Sequence, residues 1–355
     1  MTLNKEAIKI GFAYVGVVVG AGFSTGQEVK QFFADYGLWS YIGVIISGLI
    51  LSFIGRQVAK IGTGLDADNH QSTLEYLFGK AFGRIIDYLL IICLLGISIT
   101  MIAGAGSTFK ESYGVPTWLG ALIMCILIFV TLLMDFNKIV RALGFVTPFL
   151  IIMVVLIAAV FLFKGQVSLP EVNSTVKHPS IFKGILNGFV YGGLAFSVGF
   201  TTLIAIGGDA SRRRISGSGA LFGGIIYTIL LALINFALQS EYPSIKSSSI
   251  PTLTLADSIH PIVLIVLSII MLLVMYNTIL GLSYSIAARF TKPYSKKYYI
   301  FITVLMLLSY GLSFFGFEDL IKVLYPTMGW IGLIVIVGVL VKYFMRKKEN
   351  KKFIA

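Results

Sequence analysis

Along the chain, long apolar runs alternate with short breaks of charge, proline or glycine. A helix needs roughly 20 apolar residues to cross hydrocarbon. Runs of that size predict helices over 8–36, 38–59, 84–110, 117–134, 139–163, 181–208, 215–238, 260–289, 297–316 and 319–345. The first run is long for one straight helix and is rich in glycine at its centre. The segment 240–259, with Pro243 and Pro251, reads as a structured external loop between crossings. The pattern therefore predicts an all-α membrane protein of ten transmembrane helices, one transmembrane domain over 1–345 and a basic tail over 346–355.

Composition sharpens this picture. Hydrophobic residues are 57% of 355 and charged residues 12%, against about a quarter charged in a soluble domain. The net charge of +12 does not point to nucleic acid, because the basic residues form short clusters between apolar runs rather than one basic face. Their placement is a topology signal. With the N-terminus in the cytoplasm, 21 of the 28 Lys and Arg residues fall on that side, among them Lys5, Lys9, Arg212, Arg213, Arg214 and Arg289, and 7 on the other. Both termini are then cytoplasmic and the chain is a multi-pass membrane protein. Trp39 and Trp118 begin helices at the outer interface. The first run leads directly into further membrane sequence, so no cleavable signal peptide is expected. Cys93 and Cys125 lie inside apolar runs and read as inert core thiols. His70, His178 and His260 have no metal-ligand spacing. The lysines of the tail, Lys347 to Lys352, anchor the topology at a lipid surface.

The sequence also repeats itself. GFAYVGVVVGAGFST (11–25) and GFVYGGLAFSVGFTT (188–202) align without gaps at an offset of 177, with seven of fifteen positions identical. Chance would give roughly one or two, and self-similarity at a fixed offset marks duplication. The copies fall in the first and sixth helices, so each half, about 8–163 and 181–345, holds five crossings. An odd number inserts the second copy upside down, giving a 5+5 inverted repeat.

Both copies carry dense glycine. Glycine costs about 1 kcal/mol relative to alanine inside a helix, so Gly16, Gly20, Gly22 and Gly26, and Gly192, Gly193 and Gly199, predict two helices unwound in mid-membrane. Opened backbone in hydrocarbon must line a cavity and bond something polar. The positive end of an outer half-helix suits a carboxylate, and free carbonyls at the other ends suit an ammonium or Na+. A small zwitterion fits without charged side chains. The alternative use of the same glycines is close helix packing.

Gly20-Ala21-Gly22-Phe23, followed by Ser24-Thr25-Gly26-Gln27-Glu28, resembles the signature of the YkvI-like bacterial membrane proteins. These are amino-acid permeases of the amino acid–polyamine–organocation superfamily, with the LeuT fold. The resemblance covers the whole ten-helix pattern. It implies a substrate site at Gly20, Ala21, Gly22 and Phe23 on the first helix, and at Leu194, Phe196, Ser197 and Phe200 on the sixth. It further implies a candidate Na+ site at Gly16 and Val19 with Val274, Asn277 and Thr278, the last three on one helix face. Proton-coupled relatives can carry a lysine on the fifth helix, where this chain has only Arg141, at the cytoplasmic end.

Glu28 is the carboxylate placed deepest in a span and is a candidate for gating or coupling, or a vestibule residue paired with Lys30. Asp87 follows Arg84 closely and reads as a local ion pair or an inner-gate contact. Asp209 belongs to a solvated loop. These readings favour secondary transport of an amino acid by alternating access, with no cofactor beyond a possible role for Na+ as coupling ion. The partners implied are a small solute and the lipid bilayer, with no nucleic acid and no obligate protein partner. The competing readings are a metal-ion or other small-solute carrier on the same fold, and a non-transporting membrane receptor or assembly protein. An enzyme is not expected, since clustered catalytic groups are not visible.

Overall fold

A computed structural model describes residues 4–65, 70–134, 146–164, 173–174, 176 and 180–352. Arg141 and His178 lie outside them. The described residues are almost wholly helical and contain no strand. The first predicted span becomes three pieces, α1 (Lys5–Val18), α2 (Ala21–Thr25) and α3 (Gln27–Phe32). The second is α4 (Ser40–Leu49), joined through one π-helical stretch to α5 (Gly55–Leu65). There follow α6 (His70–Phe78), α7 (Lys80–Tyr113), α8 (Thr117–Leu133) and α9 (Val146–Lys164). The second half holds α10 (Ile181–Gly208), α11 (Arg213–Ser240), α12 (Tyr242–Ile245), α13 (Pro251–Ile259), α14 (Pro261–Phe290), α15 (Lys296–Ser313) and α16 (Phe317–Lys352).

Local chemistry sets several of these ends. Asn4 caps α1 by accepting from the Glu6 N–H. Ser180, His260 and Ser295 do the same for α10, α14 and α15, each satisfying an N–H that the helix itself leaves open. Pro261 stands in the first turn of α14, where its missing N–H costs nothing.

Among the described residues, six helical stretches are long and apolar enough to cross a membrane: Ala34–Leu65, Lys80–Tyr113, Ile181–Gly208, Arg213–Ser240, Pro261–Phe290 and Phe317–Met345. Thr117–Leu133 and Pro148–Phe163 are apolar but shorter. Burial is inside out. The flanks expose Ile45, Leu49, Ile85, Ile92, Phe163, Ile300, Leu307 and Phe344, while Ser24, Thr25, Glu28, Asp87, Thr100 and Asn235 are buried. An apolar exterior of this kind requires lipid. The packing partners exchange between halves: α1 lies on α11 while α10 lies on α4 and α5, and α7 lies on α14. The segment 240–259, expected as a structured loop, carries α12 and α13.

Two expectations are corrected here. The sixth span does not unwind: α10 runs without interruption from Ile181 to Gly208. Its glycines serve packing instead. A Cβ on Gly193 would strike the Gly329 carbonyl oxygen of α16, one on Gly192 would meet Ile50 at 2.7 Å, and one on Gly199 would meet Tyr14 at 2.8 Å and Val18 at 2.9 Å. Small residues admit such close approach while every backbone hydrogen bond of the helix is kept. The outer part of the first span is likewise not a single half-helix. It turns again at Gly26, whose φ of 73° is left-handed and suits glycine.

Candidate functional site

The first span is interrupted at Val19 and Gly20. Val19 closes α1 by donating to the Val15 carbonyl at 2.8 Å, and Gly20 then swings the chain out with ψ −173°. No side chain caps the short α2 that follows. Thr25 Oγ1 donates to the Gly22 carbonyl at 2.7 Å and accepts from the Gln27 N–H at 3.2 Å, which steadies the turn beyond the interruption.

Two cavities meet at this point. The smaller, about 60 Å³, is lined by Gly20, Gly22, Phe23, Glu28, Leu194 and Thr278, and also by Ile97, Met101, Tyr191, Tyr227 and Tyr325. The larger, about 530 Å³, runs from Gly16, Val17 and Gly20 past Thr201, Thr202, Val274, Asn277 and Thr278 to Ser285 and Arg289. Its far end lies among the charged helix ends. The opposite side of the interruption is covered: Thr252 of α13 donates to the Ser24 carbonyl at 2.6 Å, and Lys30 donates to the carbonyl of Lys246 at 2.8 Å.

The sequence-predicted residues therefore divide. Gly16, Gly20, Gly22, Phe23, Glu28, Leu194, Val274, Asn277 and Thr278 all line one cavity or both. Val19 is fully buried and lines neither. Phe196 packs on Phe200 with ring centres 5.5 Å apart, and Ser197 donates to the Gly193 carbonyl at 2.9 Å; these three line neither cavity. Ala21 is the first residue of α2, directly after the interruption.

Glu28 does not sit in an open vestibule. It is 7% exposed, and its Oε1 accepts from the Tyr191 hydroxyl at 2.8 Å. Tyr191 and Tyr227 share a hydroxyl–hydroxyl hydrogen bond of 2.5 Å. A Cβ on Gly22 would strike Glu28 Oε2 and stand 2.9 Å from the Tyr325 hydroxyl, so three tyrosines from α10, α11 and α16 surround one carboxyl group. Tyr191 stands in the repeated motif, whereas Tyr227 and Tyr325 were missed. The available signal was a hydroxyl inside an apolar run, as in GGIIYTILL.

At the other end of the larger cavity, Arg289 donates to Asp87 Oδ2 at 2.6 Å and to Gln71 Oε1 at 2.8 Å. Asp87 thus pairs across helices with α14 rather than locally with Arg84, which donates to the Lys80 carbonyl. Glu6, half-buried near the start of α1, accepts from the Ser211 N–H at 2.8 Å and from the Ser211 hydroxyl at 2.7 Å. These bonds hold its carboxyl below the usual carboxylate range.

An interrupted first helix, a helical bundle around it and a cavity reaching its centre define a helical membrane protein of the LeuT fold. The fold is similar to that of MhsT, solved with L-phenylalanine, at 16% identity over 93% of this chain and 87% of that one, TM-score 0.63. It is also similar to inward-facing Mhp1 at 16% identity, covering 96% and 76%, TM-score 0.56, and to a manganese transporter of Eremococcus coleocola at 14% identity, covering 99% and 73%, TM-score 0.51. The chain is 30% identical over 351 residues to the membrane protein YkvI of Bacillus subtilis (strain 168), covering 97% of this chain and 98% of that protein. YyaD of the same organism is 25% identical, covering 97% and 99%. The model of the branched-chain amino acid transport protein family matches residues 4–355. The chain belongs to that family.

Proposed function

We propose that this protein is a secondary active transporter of a small zwitterionic amino acid, working by alternating access across the bacterial cytoplasmic membrane. In this reading ten crossings form two inverted five-helix repeats with both termini in the cytoplasm. The exchange of packing partners between the halves supports the repeat. The carrying observation is the cavity that reaches from the interruption at Gly20 to Arg289 while α13 covers the other side. With Arg289 on the cytoplasmic side, as the distribution of Lys and Arg requires, this geometry is open inward. Family membership supports an amino acid with an apolar side chain, for which Phe23, Leu194, Ile97 and Met101 supply the wall.

A cation travels with the substrate in this proposal, and the face of Gly16, Val274, Asn277 and Thr278 is a candidate seat for Na+. Thr278 Oγ1 donates to the Val274 carbonyl at 2.9 Å and keeps its lone pairs for an ion. A metal-ion carrier would need several hard or soft ligands converging on one point. Among the described residues, no group of three His, Cys, Asp or Glu is placed to hold one.

The test is a thermal-shift screen of the purified protein against the twenty amino acids, with and without Na+, followed by uptake into proteoliposomes. Saturable stabilisation by an apolar amino acid, and its concentrative uptake, are expected. Stabilisation by none of the twenty, with no uptake, would refute the proposal.

A further inference from the structure

The continuity of α10 removes part of the site that the sequence predicts. An unwound sixth helix would offer free carbonyls to a substrate ammonium, but in an unbroken helix those carbonyls accept from N–H groups four residues on. An ammonium brought into this cavity needs another acceptor, since a buried charge without a partner is costly. Among the described residues lining the two cavities, Glu28 is the one carboxylate and Arg289 the one cation, at the far end of the larger.

From this we infer that Glu28 is the seat of the substrate's cationic nitrogen, held in place by Tyr191, Tyr227 and Tyr325. The inference rests on the reading of the chain as an amino-acid carrier. Oε1 is engaged by the Tyr191 hydroxyl at 2.8 Å, and that hydroxyl is itself tied to Tyr227. One carboxyl oxygen is therefore anchored. Oε2 lies beside Gly22, where a Cβ would strike it, and close to the Tyr325 hydroxyl. The absence of a side chain at Gly22 is what leaves this oxygen room. Lys30, two residues on, directs its ammonium to the Lys246 and Ser248 carbonyls at 2.8 and 3.4 Å.

With the substrate nitrogen on Glu28, an apolar side chain meets Phe23, Leu194, Ile97 and Met101 in the same cavity. The substrate class follows: compounds with a free cationic nitrogen and an apolar side chain. Hydroxy and keto acids of the same shape should bind poorly, because they bring no cation to the Glu28 carboxyl and set a second acid group in the same cavity.

The probes are L-leucine, its deaminated analogue 4-methyl-2-oxopentanoate and its decarboxylated analogue isoamylamine, used on the full-length protein in nanodiscs. Calorimetry measures direct binding, and competition is read against whichever amino acid stabilises the protein best. In the wild type the amine should compete and the keto acid should not. Glu28→Gln, which keeps the shape and removes the charge, should weaken amino-acid binding about tenfold to a hundredfold, the scale of a hydrogen bond to a charged group. Tyr191→Phe should weaken it less and leave the preference for the amine intact. A keto acid that competes as well as the amine in the wild type overturns the inference, whatever the variants do. So does a folded Glu28→Gln protein that binds as tightly as the wild type. A wild type that binds none of the twenty amino acids removes the carrier reading as well, which separates the two failures.

Discussion

The first and sixth spans share seven of fifteen residues at a fixed offset, yet one is interrupted and the other is not. Part of the difference is in the residue, since Gly20 at the interruption aligns with Ser197 in the sixth span, and part lies in what surrounds the glycines. Beside Gly20 the nearest atom to an added Cβ is the Val17 carbonyl oxygen at 3.4 Å, an ordinary contact with space around it. Beside Gly193 and Gly207 another backbone stands in the way, at Gly329 and Ala59. Glycine against a neighbouring backbone is a packing device, and the helix keeps its hydrogen bonds. Glycine against a hollow weakens the helix by about 1 kcal/mol with no packing gained in return, and there the chain opens. The same motif thus serves the site in one copy and the scaffold in the other.

The largest effect that would break this comparison is expected at the scaffold copy. Gly193→Leu drives a side chain into the Gly329 backbone and should destabilise the protein by about 3 kcal/mol or more, seen as a lowered unfolding temperature in detergent. A variant of unchanged thermal stability that has lost only ligand binding would make Gly193 a site residue after all. Next comes the ion pair that joins α7 to α14, in which the Asp87 side chain is 1% exposed and that of Arg289 35%. Arg289→Gln removes the cation from a buried carboxylate and should cost about 2 kcal/mol, the scale of a hydrogen bond to a charged group. Adding Asp87→Asn should restore much of that loss, because the double variant no longer buries a carboxylate deprived of this cation. Failure of the second change to rescue would show that Arg289 acts through its other contacts.

The site copy should respond in binding rather than stability. Gly22→Ala places a methyl group where Glu28 Oε2 now lies and should weaken amino-acid binding at least about tenfold, or 1.4 kcal/mol. Gly20→Ala meets open space, and its φ of −52° is accessible to alanine, so binding within about threefold of wild type is expected. Equal losses in the two variants would dissolve the distinction between room for Glu28 and room for a bend. A smaller effect is expected on the facing helix. Thr278→Val should reduce any Na+ dependence of binding while sparing binding without Na+, and calorimetry in Na+ against choline would detect it.

How much of this could be read from the sequence follows the same division. Span positions were legible because apolar runs of membrane length have few other uses, and nine of the fourteen predicted site residues line the cavities. The continuity of α10 was not legible, because a glycine run does not say whether a cavity or a backbone stands opposite it. Leu194, Phe196, Ser197 and Phe200 were placed on the site through the family resemblance; Leu194 lines the smaller cavity, and the other three pack inside the bundle. Tyr227 and Tyr325 come from helices α11 and α16, far from Glu28 in sequence, and only the packing of three helices brings their hydroxyl groups to it.

The smallest effect links the two spans at the end where the larger cavity opens. Glu6 at the head of α1 accepts both the N–H and the hydroxyl of Ser211, in the turn between α10 and α11. Because those bonds favour the charged form, the folded carboxyl titrates below its usual value. The sign follows by linkage: the contribution to stability is present above the usual carboxylate value and fades as pH falls through the lowered one. Solvent beside the pair keeps the effect small and sensitive to salt. Glu6→Gln should therefore flatten the acid limb of the stability profile slightly, and Ser211→Ala should do the same. The double variant should add nothing further, since both changes remove one interaction. Unfolding temperatures measured from neutral to acid pH decide it. Wild-type and Glu6→Gln profiles that stay parallel would mean the interrupted span is not tied to the turn after the continuous one, and the two would then be free to move apart when the cavity opens or closes.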